Sequence, residues 1–116
     1  MSPLTDDITG LPPHELAAVS EYFEGDHEFY RIFRASAVAQ FPADLQAGDQ
    51  AEAAADVQAL RRAAHTLKGV LLTLGYAELS ACAKTVEQGV QQQPWDEAAA
   101  GWRELRARMV AAFGLA

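Results

Sequence analysis

Ala64-His65-Thr66-Leu67-Lys68-Gly69 sets an imidazole, an ammonium and a glycine within little more than one helical turn, and the rest of the chain is read outward from it. Leu60, Ala64, Leu67, Leu71 and Leu74 recur at i, i+4, i+7, i+11 and i+14, one apolar stripe of a helix over residues 57–74. His65 falls beside that stripe. At about 100° per residue, Arg61, Lys68, Gly69 and Leu72 share its face, so the ring is expected to be partly exposed with cations near it. A glycine inside a helix costs roughly 1 kcal/mol relative to alanine. Gly69 therefore needs a reason, and the simplest is that something approaches His65 closely.

Asp56 reads as the N-cap of this helix, and Gly75 as the left-handed residue that ends it. Beyond the turn, Leu79, Cys82, Ala83, Val86 and Val90 form a second stripe, so residues 77–92 make the other arm of an αα-hairpin. Pro94 punctuates, and Trp95, Ala98, Trp102, Leu105, Met109 and Phe113 give a last amphipathic helix. Arg103, Arg106 and Arg108 are expected on its solvated side near the carboxyl end.

Upstream, residues 1–11 carry Pro3 and Gly10 without periodicity and read as a flexible amino-terminal arm. Pro12 and Pro13 start a short helix with Leu16, Val19, Tyr22 and Phe23 on one side, ending at Gly25. Asp26 caps the next helix, whose apolar side is expected to carry Phe29, Ile32, Phe33, Ser36, Ala37 and Phe41. Pro42 should kink that helix or start a new turn after Phe41, and Gly48-Asp49 is a candidate end. Residues 50–55 fit helix or loop equally well. The fold class is therefore all-α: an antiparallel four-helix bundle with a short extra amino-terminal helix, in one domain over 1–116.

Sixteen acidic against nine basic residues give a net charge of −7, which excludes a broad basic face for nucleic acid. The single Cys82 allows no intramolecular disulfide and reads as a core residue. No apolar run is long enough to span a bilayer and the amino terminus lacks a secretory pattern, so a cytoplasmic protein is expected. Without sustained heptads a monomer is expected, and the starting methionine favours a separate protein.

An antiparallel hairpin with its turn near Tyr76 sets residue 65 level with Glu87, and Lys84 one turn away on the facing arm. A carboxylate opposite an imidazole can accept the proton on one ring nitrogen and leave the other free as a nucleophile. Lys68, Lys84 and Arg61 around it suit an anion attached to His65. The run 64–69, followed by Leu74-Gly75, Leu79, Cys82 and Val86-Glu87, resembles the signature of histidine-containing phosphotransfer (HPt) domains.

That resemblance implies that His65 accepts a phosphoryl group from a receiver-domain aspartyl phosphate and passes it to another receiver aspartate. It further implies that Lys68 screens phosphate charge, Gly69 leaves room for the receiver and Glu87 orients the imidazole, with Arg61, Leu72 and Lys84 at the partner surface. The chain would be a carrier and no enzyme, binding no cofactor, with Mg²⁺ and the remaining catalytic groups supplied through the receiver. Receiver domains or a hybrid sensor histidine kinase would be its partners, and no nucleotide-binding loop is present for autokinase activity. Val70, Leu72 and Tyr76 depart from the common family pattern and make the docking face more apolar.

Blander readings compete at single positions. His65 alone would be an ordinary surface histidine, a reading that Lys68, Gly69 and Glu87 outweigh. His14 and His27 read as surface residues, and Trp95 and Trp102 as core. Two other functions stay open: an HPt-like docking module or inhibitor that binds a kinase or receiver without accepting phosphate, and a metal-binding bundle, disfavoured because no Glu-x-x-His pair occurs.

Overall fold

The computed structural model describes residues 10–115, which form five helices and, among the described residues, no strand. They are α1 (Pro13–Tyr22), α2 (His27–Ala53), α3 (Val57–Leu74), α4 (Ala77–Gln92) and α5 (Trp95–Phe113). The Asp56 carboxylate opens α3 by accepting from the Ala59 N–H at 3.1 Å, and Gly75 closes it at φ 96°. There the Tyr76 and Gly75 N–H groups bond the carbonyls of Leu71 and Leu72, the paired geometry of a Schellman cap, so the chain reverses directly into α4. Asp26 caps α2 in the same way as Asp56, through the Phe29 N–H.

The α3 stripe is fully buried, and Leu60, Ala64, Leu67, Leu71 and Leu74 pack with Tyr30, Phe41, Leu45, Ala83, Val86, Trp102, Leu105 and Met109 in one cluster. Trp102 lies in this core because α2 carries Gly48 opposite it, where a Cβ would overlap the indole ring. Its indole N–H donates to Asp49 Oδ1 at 3.0 Å. Trp95 and Cys82 are only half-buried against the cluster, and burial pushes the Cys82 thiol up, away from the thiolate.

Three expectations change along α2. The helix runs unbroken through Pro42 to Ala53, since buried Phe41 and Leu45 hold both sides of the proline, which itself faces solvent. It does not end at Gly48-Asp49. Residues 50–53 are helical, and the chain turns at Ala54 and Ala55, the latter with φ 52°. The buried face keeps Phe41, with Phe33 and Ala37 packed beside it as expected, but takes fully enclosed Tyr30 in place of Phe29 and Ile32, which are 54% and 62% exposed.

Residues 1–9 of the arm expected over 1–11 lie outside the described residues; Leu11 is already buried in the core cluster. The helix α1 lies against the α3–α4 turn. His14 Nδ1 donates to the Gly75 carbonyl at 3.2 Å, and its ring meets Tyr76 edge-on. Glu15, almost wholly buried, accepts from Arg34 Nε at 3.0 Å and from the Tyr76 hydroxyl, which in turn accepts from Arg34 Nη2 at 3.1 Å. This triad joins α1, α2 and the turn. The α5 arginines are not simply solvated: Arg106 and Arg103 pair with Asp49 and Glu52 of α2, and Arg108 with Glu104.

Candidate functional site

The Schellman turn fixes the register of the hairpin arms, and that register brings residues 65 and 87 level. His65 Nδ1 stands 2.7 Å from Glu87 Oε2, and Lys68 Nζ stands 2.7 Å from Glu87 Oε1, so one carboxylate bridges the imidazole and the ammonium. The Glu87 side chain is 14% exposed and that of His65 63%. Lys68 beside it holds the Glu87 carboxyl below the usual carboxylate range, with the His65 hydrogen bond assisting against the opposing effect of burial. An ionised carboxylate only accepts, so Nδ1 carries the imidazole proton. The other nitrogen, Nε2, is then left with its lone pair on the exposed side of the ring.

Ser80, buried on α4, donates from Oγ to the Lys68 carbonyl at 2.8 Å and ties the arms together one turn beyond the bridge. Nothing in the sequence pattern marks Ser80, which is one residue off the apolar stripe and unremarkable in type. Gly69 is exposed one turn beyond His65, and a Cβ there would meet nothing within 4 Å. The glycine is thus not required by packing inside this chain, in contrast to Gly75, where a Cβ would press on the His14 carbonyl.

Of the other residues expected at the site, Leu72 is 45% exposed on the His65 side of α3. Lys84 is exposed and has no hydrogen bond or ion pair among the described residues. Arg61 is half-buried and reaches only Gln58 on its own helix, at 3.5 Å. Lys68 is committed to Glu87 in this structure. Among the described residues, no group of three or more His, Cys, Asp or Glu side chains is gathered as a metal-ligand set.

An exposed histidine whose inner nitrogen is held by a carboxylate, on one arm of a helical hairpin, can act as a nucleophile through its other nitrogen. A family model for the Hpt domain matches residues 29–112, which include all of α3 and α4. The chain belongs to the Hpt domain family. Hpt domains serve histidine phosphotransfer in phosphorelays, interact with receiver domains and histidine kinases, and are phosphocarrier modules rather than catalysts. Within this Hpt domain the matched segment begins in α2, so α1 and its buried Glu15 lie upstream of it. Searches of curated proteins and of solved structures each gave no match. No helix among the described residues is long and apolar enough to cross a membrane.

Proposed function

We propose that this Hpt domain is a phosphorelay intermediate, with His65 accepting a phosphoryl group from a receiver aspartyl phosphate and delivering it to a second receiver aspartate. The observation that carries the reading is the 2.7 Å bond between His65 Nδ1 and Glu87, which leaves Nε2 as the free nucleophile. In the forward step Nε2 forms a P–N bond while the P–O bond to the receiver aspartate breaks, and the aspartate leaves as a carboxylate. The ring, still protonated at Nδ1, becomes cationic, and Glu87 stabilises that charge. Delivery to the second receiver reverses the sequence.

Positioning and charge neutralisation carry most of a phosphoryl transfer, so a rigid helix bearing one histidine suffices when the partner contributes the rest. Mg²⁺ belongs to the receiver in this reading and no cofactor is assigned to this chain. Lys68 has donors left after bonding Glu87 and can turn one toward the bound phosphoryl group. Gly69 and Leu72 form the approach beside His65, with Arg61 and Lys84 at its edge. A cytoplasmic monomer fits this role.

The test is transfer from labelled phospho-receivers to the wild type and to His65→Gln. Label on the wild type alone, lost in acid and kept in base, is the expected result for a phosphoramidate. Absence of label on the wild type, alongside measurable receiver or kinase binding, would replace this reading with that of a docking module or inhibitor.

A further inference from the structure

Beside the His65 face, α2 and α3 enclose a groove made of two adjoining cavities of about 270 and 400 Å³. Its walls are mostly apolar, with Phe33, Ala37, Phe41, Ala63 and Val70 among them, and both cavities are lined by Asp44 of α2 and Thr66 of α3. Thr66 follows His65 directly in the chain, so the groove adjoins the phosphoacceptor.

Asp44 is a poorly satisfied charge in that setting. It is half-buried, and its single hydrogen bond is a long one, 3.4 Å from Gln40 Nε2. Burial pushes its carboxyl above the usual range. The one cation that lines the groove, Arg62, shares the smaller cavity with Asp44 and makes no ion pair with it. Elsewhere the described carboxylates of Glu15, Asp49, Glu52 and Glu87 each hold an arginine or lysine. A partly desolvated carboxylate amid apolar walls favours one complement: an apolar surface with a cation at its middle.

We propose that Asp44 is a specificity-determining contact of this Hpt domain, accepting a lysine or arginine from a receiver surface whose apolar side lies in the α2–α3 groove. The inference rests on the carrier reading and adds the chemistry that selects among receivers. Many receivers can present the same reacting aspartate to His65, so discrimination has to come from contacts to one side of it. Closing the groove would desolvate Asp44 further. A receiver with a matching cation then gains a charge-assisted hydrogen bond, while one without it leaves a carboxylate buried and unpaired.

The experiment measures transfer from a set of labelled phospho-receivers to the wild type, Asp44→Asn and Asp44→Arg, with circular dichroism on each variant. For receivers that label the wild type, Asp44→Arg is expected to lower kcat/KM about tenfold or more through KM, and the near-isosteric Asp44→Asn by about threefold to tenfold. Exposed lysines and arginines of the best receiver are then changed singly to glutamate, and one such change should restore transfer to Asp44→Arg while impairing transfer to the wild type. Equal transfer to all three forms, or loss that no receiver reversal restores, overturns the role of Asp44 and leaves the carrier reading intact. If no receiver labels the wild type, the carrier reading fails and this inference fails with it.

Discussion

Glu87 accepts from His65 Nδ1 and from Lys68 Nζ at the same distance, 2.7 Å, one through each carboxylate oxygen. This bridge makes the charge of Glu87, and not merely its hydrogen-bonding oxygen, part of the site. Glu87→Gln can keep an acceptor for Nδ1–H but loses the charge opposite a ring that, in the proposed transfer, becomes cationic on phosphorylation. A charge-assisted bond is worth ~1.5–3 kcal/mol, so transfer to Glu87→Gln should slow about 10- to 100-fold, read as kcat with the helical signal unchanged.

The same bridge has an acid limit. The folded carboxyl of Glu87 titrates below its ordinary value of 4.5, so the folded state binds fewer protons than the unfolded chain in that range. The stabilisation is therefore complete above about pH 4.5 and is lost as the pH falls through the lower folded value. Denaturant titrations of the wild type and Glu87→Gln should differ near neutrality and converge as the pH is lowered through this window.

Gly69→Ala separates folding from docking. A Cβ at Gly69 meets nothing of this chain, and alanine is the better helix former by roughly 1 kcal/mol, so the variant should be as stable as the wild type or more so. Phosphotransfer should nevertheless fall, because the methyl group stands beside His65 where the proposed carrier role brings a receiver close. Equal transfer by a stabilised Gly69→Ala would show that nothing closes on this face.

Leu72→Gln tests the apolar part of the approach. The side chain is 45% exposed and glutamine is a comparable helix former, so thermal stability should move by less than ~0.5 kcal/mol. If a receiver covers Leu72, its loss should raise KM about fivefold, the equivalent of ~1 kcal/mol, with kcat retained.

The hairpin was legible because its signals are local and agree: Asp56 and Gly75 bound α3, the α3 stripe is uninterrupted, and level pairing across a tight turn leads from His65 to Glu87. The α2 face was not legible, for a physical reason. Its core face is Tyr30, Phe41, Leu45, Gly48 and Ala51, with Phe33, Arg34 and Ala37 half-buried beside it, so Arg34 and Gly48 break the apolar pattern that Phe29 and Ile32 mimic. Arg34 is half-buried there because Glu15 and Tyr76 receive it, and Gly48 is buried because Trp102 fills its place. Both partners are remote in sequence, so helical periodicity could not find them. Asp44 escaped notice likewise, since only the packing of α2 on α3 makes it part of a groove.

Tyr76 has work in this structure away from His65: its hydroxyl lies between Glu15 and Arg34. Tyr76→Phe removes the donor to Glu15 and the acceptor for Arg34 Nη2 while leaving the Arg34–Glu15 pair in place. The cost should be ~1–3 kcal/mol, because a buried carboxylate oxygen loses a partner. Glu15→Ala should cost at least as much, since it leaves the half-buried Arg34 guanidinium without its carboxylate. Neither change touches His65, Lys68 or Glu87, so receiver transfer measured well below the unfolding temperature should be retained in both variants. A loss of transfer in Tyr76→Phe with the fold intact would instead place α1 and the hairpin turn within the docking surface.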